Sequence, residues 1–313
     1  MNNKSYQKGE PCHMTTYQNF LKKLVNGLSR HYGEQYKIKI TQVKKNNGIL
    51  YCGLTITYED SNISPTIYME ELYQSYLDGE PLSDIMQQIV GVYERCKIEG
   101  TVDTRFLCDF EQVRDRVAYK LIGYEANREL LRETPHVPFL DMAVVCYVSL
   151  IHDRLGNTSV LVNNRTCHMW GIDKKELLAL AEKNTPCILP ADLVDLRQEV
   201  KRATGESYEE REDAYMYLLT NRQRQYGAGC ILYPKILADF AARTGKDFYI
   251  LPCSVHEVIL VPERRGLEAW GFQEIVRSIN RTQVYPEEVL TDSVYFYDRK
   301  KEKILILDNS EKL

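Results

Sequence analysis

A nucleophile, a base and a carboxylate lie close together in the last third of this chain. The segment FYILPCSVHEVILVPE, residues 248–263, carries Cys253, Ser254, His256 and Glu257 between two apolar runs. Serine and cysteine become effective nucleophiles when a neighbouring histidine takes their proton. Side chains alternate along a strand, so Ser254 and His256 would share one face, and Cys253 and Glu257 the other. The candidate catalytic residues are therefore His256, Ser254 and Glu257.

The same segment has a structural interpretation. A Ser254/His256 dyad would have no carboxylate on its strand face to orient the imidazole. A Cys253/His256 pair would require the turn at Pro252 to rotate Cys253 out of alternation. In a tight connection between two strands, Ser254 would instead satisfy backbone groups of the turn, and His256 would donate to a carbonyl or a carboxylate. We favour this second interpretation.

The motifs predict neither a metal nor a cofactor. His256-Glu257 begins the zinc-protease motif HExxH, but Leu260 occupies the position of the second histidine, in sequence that is typical of a strand. The nine cysteines form no CxxC pair. The GAG at residues 227–229 lacks the third glycine of a dinucleotide loop. The GK at residues 245–246 lacks the first glycine and the Ser/Thr of a phosphate loop.

Composition excludes several classes of function. Lysine and arginine (40) nearly balance aspartate and glutamate (44), for a net charge of -4, whereas nucleic-acid-binding surfaces carry a strong basic excess. No apolar run approaches the roughly 18 residues of a membrane span, and the N-terminus lacks the apolar core of a signal peptide. We expect a cytoplasmic protein that binds neither membrane nor nucleic acid. The 22 tyrosines suit a recognition surface as well as half-buried packing.

The pattern of apolar residues predicts an α+β fold. Residues 1–13 are expected to be a flexible tail, because the first helical face begins at Met14 behind a Thr15 or Thr16 cap. The next segments are predicted as strands at 36–43 and 49–57 around an Asn46-Asn47-Gly48 turn, helices over 67–76 and 82–92 that meet at Pro81, and a strand at 117–122.

A boundary between two lobes is predicted at Pro135-His136-Val137-Pro138, giving lobes of residues 14–135 and 136–313. Short connections favour antiparallel pairing, so helices should pack on one face of mostly antiparallel sheet. The second lobe is predicted to contain a strand at 140–151, a turn at 156–157, a strand at 159–162, a helix capped by Asp173, a charged solvated segment at 197–213, a strand at 215–219, a helix at 234–243, strands at 248–251 and 258–261, a helix at 267–279 and two closing strands.

A basic cluster is the other candidate for binding. Arg222, Arg224, Arg264 and Arg265 could face a phosphate or an acidic partner, or they could be solvated loop residues. From this cluster we take Arg222 and Arg224 as candidate binding residues.

Four segments together resemble a family of uncharacterised bacterial proteins of gut clostridia and their relatives, and more distantly the YtpQ family. They are PHVPFLDMAVVCYV, TSVLVNN with the following WGIDKKELLALAEKNT, FYILPCSVHEVILVPE and VYPEEVLTDSVYFYD. The resemblance runs over most of the chain from Met14 onward. It implies that Ser254, His256, Glu257 and Asn280 lie in characteristic segments, which adds Asn280 to the candidate binding residues. Family members tend to have serine at the position of Cys253, and neither family implies an activity.

These observations lead to two functional hypotheses. The first is a non-catalytic interaction or regulatory protein of accessory, mobile-element origin whose partner is another protein. The alternative is a small hydrolase or transferase that uses His256 with Ser254 or Glu257. A carboxylate within reach of His256 in a deep pocket would favour the enzyme. An exposed apolar and tyrosine-rich surface would favour the binding protein.

Overall fold

The computed structural model describes residues 11–98, 100–152, 156–197, 216–264 and 269–307. Contacts between Cα atoms divide the chain into two compact units. Unit 1 comprises residues 1–45, 49–106 and 151–158, and unit 2 comprises residues 46–48, 107–150 and 159–313. Helices and antiparallel strands are both abundant, which confirms the α+β prediction.

Unit 1 is built from three helices and a three-stranded sheet. Its elements are α1 (Pro11–Tyr32), β1 (Tyr36–Lys44), β2 (Leu50–Tyr58), β3 (Thr66–Tyr68), α2 (Glu70–Leu77) and α3 (Leu82–Cys96). The sheet has the order β1-β2-β3 with antiparallel pairs. Phe20, Leu24 and Leu28 recur at helical spacing on α1 and are buried, as are the alternating Leu54 and Ile56 of β2.

Two predictions in unit 1 need correction. The segment 67–76 was expected to be one helix, but Ile67 lies in β3 opposite Leu54, and α2 begins only at Glu70. Ser64-Pro65 precedes this strand, and the residue before a proline is restricted to extended backbone, which favours the strand over an earlier helix. The first helix begins at Pro11 instead of Met14. Most of the predicted tail, residues 1–10, lies outside the described residues.

Unit 2 contains two antiparallel sheets. One has the order β4-β6-β5 with β7 also paired to β6, and the other has the order β13-β12-β10-β11-β9-β8. The elements are α4 (Phe110–Val113), β4 (Val117–Gly123), α5 (Arg128–Arg132), β5 (His136–Phe139), β6 (Met142–His152), β7 (Gly156–Leu161), α6 (Asn164–Trp170), α7 (Lys174–Ile188), β8 (Ala191–Asp195), β9 (Tyr217–Asn221), α8 (Ile236–Thr244), β10 (Phe248–Ser254), β11 (Glu257–Pro262), α9 (Ala269–Thr282), β12 (Tyr295–Asp298) and β13 (Lys303–Ile306).

Individual residues mark the ends of two helices of unit 2. The Asp173 side chain accepts from the Glu176 N–H at the start of α7, as predicted. Gly245 ends α8 in the left-handed conformation that glycine adopts readily. Residues 156–157, predicted as a turn, instead begin β7. The predicted lobe boundary at residue 136 lies inside unit 2, where β4 on one side pairs with β6 on the other. Residues 198–213 of the predicted charged segment lie outside the described residues.

A single carboxylate anchors β12 near the start of β6. The Asp141 carboxylate accepts hydrogen bonds from Thr291 Oγ1 at 2.6 Å, Ser293 Oγ at 2.8 Å and the Tyr295 hydroxyl. Hydrogen bonds to a charged acceptor are stronger than those between neutral groups. Asp141 therefore connects the two sheets of unit 2 through side chains alone.

Of the helices in the described part of the chain, none has both the length and the apolar composition of a membrane span.

Asp141→Asn should destabilise the protein by about 1–3 kcal/mol, because one amide oxygen cannot replace two charged oxygens that receive three hydroxyl donors. Chemical denaturation at neutral pH measures the change. Asp60→Asn, at an exposed position, is the matched control and should leave the midpoint unchanged. Equal stability of the two variants would show that the anchor contributes nothing.

The free energy of unfolding should fall as the pH rises above 10. Burial raises the pKa of Tyr119, Tyr147, Tyr233 and Tyr295 well above the usual 10.0, and the Asp141 charge raises that of Tyr295 further. Below pH 10 both folded and unfolded chains keep these protons. Above it only the unfolded chain ionises, so each tyrosine lowers the free energy of unfolding by about 1.4 kcal/mol per pH unit. Melting curves on either side of pH 10, with phenolate absorbance recorded in parallel, measure this. Ionisation of all tyrosines before unfolding would contradict it.

Candidate functional site

The connection between β10 and β11 does not follow strand alternation. Pro252 pairs with Val258 and Ser254 pairs with Glu257, so a bulge forms at Cys253 and His256 lies in the turn. The prediction that Ser254 and His256 share a strand face is therefore wrong. A bulge adds one residue to one strand, and this shifts the side chains that follow it.

Hydrogen bonds satisfy the backbone of this turn. The Ser254 hydroxyl oxygen accepts from the His256 N–H at 3.0 Å. The Val255 N–H donates to the Glu288 carbonyl at 2.8 Å, and Thr220 Oγ1 donates to the His256 carbonyl at 2.8 Å. Ser254, which is buried, thus has the role that the structural interpretation assigned to it.

The His256 ring uses both of its nitrogens. Nδ1 accepts from the Tyr226 N–H at 3.1 Å, and Nε2 lies 3.5 Å from Glu288 Oε1. Because Nδ1 acts as an acceptor, the neutral ring carries its proton on Nε2, where it faces Glu288. The ring also stacks on Tyr226, with centroids 5.6 Å apart and planes 14° from parallel. A general base needs an unoccupied lone pair, and here that lone pair receives a backbone amide.

Tyr226 has an unusual backbone conformation. Its φ of 55° and ψ of 27° lie in the left-handed region, which a bulky residue rarely occupies. Such a conformation costs on the order of 1–3 kcal/mol and persists only where the surroundings impose it. The bond to His256 Nδ1 is one such restraint, so the turn at His256 and the loop before Tyr226 determine each other's geometry.

Asn221 is the second restraint on this loop. It is fully buried at the end of β9, and its Oδ1 accepts from the N–H groups of Gln223 and Gln225. Its Nδ2 donates to the Gln225 carbonyl at 2.7 Å. Neither Asn221 nor Tyr226 was among the candidate residues predicted from the sequence. An asparagine that ends a strand before a loop is the available signal, because its side chain readily binds nearby backbone groups.

Gly227 lies where no side chain fits. An added Cβ would lie 2.5 Å from the His256 carbonyl oxygen and 2.8 Å from the Asn221 nitrogen. The loop after Tyr226 therefore packs its backbone directly against the histidine turn. This close approach, and not a dinucleotide, accounts for the glycine.

Three further side chains surround the Tyr226 ring. The Lys120 ammonium of β4 lies 4.1 Å from the ring centre, and Tyr147 of β6 meets the ring edge-on at 5.1 Å. Ser159 Oγ of β7 lies 3.1 Å from the Tyr226 hydroxyl. We call Lys120, Tyr147, Ser159, Tyr226, His256 and Glu288 the Tyr226 cluster. It combines a cation, a carboxylate, hydroxyls and aromatic faces from six segments of unit 2.

Cys253 lies in the bulge, and Glu257 begins β11. Burial, and then the negative charge of Glu257, raise the pKa of the Cys253 thiol to about 12. A thiol that stays protonated at neutral pH is a poor nucleophile. The Glu257 side chain forms no hydrogen bond within the described residues.

The candidate binding residues lie in two places. Arg222 and Arg224 lie on the loop that leads to Tyr226, where both are exposed and Arg224 is 3.8 Å from Asp192. Asn280 is buried on α9 and donates to the Thr291 carbonyl and to Asp292 Oδ1. Asn280 thus anchors the far end of the loop that carries Glu288. Arg264 is exposed, and Arg265 lies outside the described residues.

The described residues include no group of three His, Cys, Asp or Glu side chains arranged to hold a metal ion.

Comparison with known proteins identifies a family of unknown function. A model described as a family of unknown function (DUF5688) matches residues 17–299, and the chain belongs to that family. This confirms the predicted membership of a domain-of-unknown-function family. No curated protein and no solved structure matches the chain significantly.

His256→Ala should lower stability by about 1–3 kcal/mol, because the Tyr226 N–H would lose its acceptor in a strained loop. His256→Asn is the matched control, since its amide oxygen can occupy the place of Nδ1 and should restore part of the loss. Glu257→Gln should melt like the wild type. Thermal melting of the three variants measures these differences, and an unchanged melting temperature for His256→Ala would contradict the structural role.

Proposed function

We propose that this member of the DUF5688 family is a non-catalytic interaction or regulatory protein of the bacterial cytoplasm that binds another protein. The observation that carries the proposal is the use of both His256 nitrogens. One receives the Tyr226 N–H and the other faces Glu288. A hydrolase or transferase built on His256 would need one nitrogen to exchange a proton with substrate or nucleophile.

The neighbouring groups support the same proposal. The Ser254 hydroxyl oxygen is bonded to the His256 backbone N–H and not to the imidazole. The Cys253 thiol, with a pKa raised by burial to about 12, remains protonated. The Ser254 hydroxyl is thus satisfied by the backbone of the turn, and the Cys253 thiol is held in its protonated form.

The edge strand β13 is the surface that we propose for the partner. It ends the six-stranded sheet, and Leu305 and Ile306 expose 45% and 42% of their surface. Consecutive residues of a strand point to opposite faces, so apolar side chains are exposed on both sides of this edge. An extended segment of another chain can pair with such a strand through its backbone groups.

The charge beside this edge indicates the kind of segment that would bind. Exposed Lys300 lies in the turn between β12 and β13, exposed Lys303 begins β13, and neither forms an ion pair among the described residues. Arg299 and Lys301 lie in the same turn, near Asp247 and Asp298. The proposed partner therefore presents an extended, acidic segment, since opposite charge favours encounter and register.

Affinity capture from the native host, followed by mass spectrometry, tests the proposal. The wild-type chain should capture a specific protein, and Leu305→Lys should lose it because a charge would interrupt the apolar edge. Leu77→Lys, at an exposed leucine of α2, is the matched control and should retain the partner.

Three results would overturn the proposal. The first is the absence of any specific partner at physiological salt, and the second is a partner that binds Leu305→Lys as well as it binds the wild type. The third is an enzymatic activity that His256→Asn abolishes while the melting temperature stays the same.

A further inference from the structure

Lys120 is an unusual residue of β4. The other six residues of this strand are buried, whereas Lys120 is half-exposed. Its ammonium lies 4.1 Å from the centre of the Tyr226 ring and 5.8 Å from that of Tyr147. It forms no salt bridge within the described residues. Aromatic faces attract a cation, but they provide no conventional acceptor for its three N–H donors.

The Tyr226 ring that lies under this cation carries a hydroxyl that is paired with Ser159. Ser159 Oγ and the Tyr226 hydroxyl are 3.1 Å apart, so one donates to the other. When Tyr226 donates, the Ser159 hydroxyl can turn its own proton toward another acceptor. The side chains around the Tyr226 ring thus offer a cation, a hydroxyl donor and an aromatic face.

Tyr147, which also packs against the Tyr226 ring, has a hydroxyl that is unsatisfied among the described residues. It is 1% exposed, and its hydroxyl is a buried atom without a hydrogen-bond partner in the described part of the chain. Buried polar groups in folded proteins nearly always have a partner, either protein, water or ligand. Tyr147 packs edge-on against Tyr226, on the same side of the sheet as Lys120.

The loop that carries Tyr226 is built to keep the ring in this place. Its left-handed backbone is restrained by His256 Nδ1, by the Asn221 side chain and by the close packing of Gly227. Strained residues held by several restraints are concentrated at ligand sites. The same ring contacts Lys120, Ser159 and Tyr147, so the restraint on the loop is also a restraint on these contacts.

We infer that Lys120, Ser159 and Tyr226 form a binding site for a small oxyanion, namely a carboxylate or a phosphate group. The ammonium would supply the charge, and the Ser159 hydroxyl, which accepts from Tyr226, would donate a directional hydrogen bond to the anion. This site lies on β4, β7 and the loop after β9, and it does not depend on the edge strand β13 that we propose for a protein partner.

Isothermal titration of the full chain at constant ionic strength tests the inference, with inorganic phosphate in one arm and acetate in the other. At least one anion should bind saturably. If only phosphate saturates the site, the natural ligand carries a phosphate group. If only acetate saturates it, the natural ligand carries a carboxylate. Lys120→Met keeps the length and apolar stem of the side chain, and it should weaken binding by about tenfold or more.

Matched variants separate binding from folding. Lys175→Met, at an exposed lysine of α7, should bind the anion like the wild type. Ser159→Ala removes one hydroxyl at a half-buried position, and it should weaken binding several-fold with an unchanged melting temperature. The inference is overturned if neither anion binds saturably, or if Lys120→Met and Ser159→Ala both bind as tightly as Lys175→Met. These outcomes leave the partner experiment on Leu305 unaffected.

Discussion

The hydrogen bond from the Tyr226 N–H to His256 Nδ1 is the constraint on which the site depends. It joins a strained loop to a tight turn between two core strands. The loop and the turn stabilise each other's conformation. The N–H of the left-handed Tyr226 needs an acceptor outside its own loop, and the imidazole needs a partner that fixes its orientation. The Tyr226 ring then lies where Lys120, Tyr147 and Ser159 can reach it.

A second set of restraints positions the other side of the imidazole. Glu288 approaches His256 Nε2, while its carbonyl oxygen accepts from Val255 in the same turn. Its loop is held where Asn280 binds residues 291–292 and where Asp141 receives the Thr291 hydroxyl. The histidine thus lies between two loops that are each anchored by a buried or half-buried polar side chain, an arrangement typical of a preorganised surface.

A serine, cysteine or glutamate close to a histidine in sequence is weak evidence of catalysis unless the partners of the two ring nitrogens are known. Serine, cysteine and glutamate all occur within three residues of His256, yet none of their side chains hydrogen-bonds to its ring. The ring contacts are Tyr226 and Glu288, which are distant in sequence. Family membership adds no activity that would favour the catalytic hypothesis.

The sequence alone determined those helices, strands and helix ends that depend on the local pattern of apolar residues and on local capping residues. The helical face of α1, the alternation of β2, the Asp173 cap of α7 and the glycine that ends α8 all follow from residues within a few positions of one another. The α+β class followed from these. Tertiary structure alone decided the role of His256, since spacing in sequence does not indicate which distant N–H or carboxylate an imidazole meets. It likewise decided the short strand β3 and the bulge at Cys253, where pairing with a neighbouring strand outweighs the local pattern.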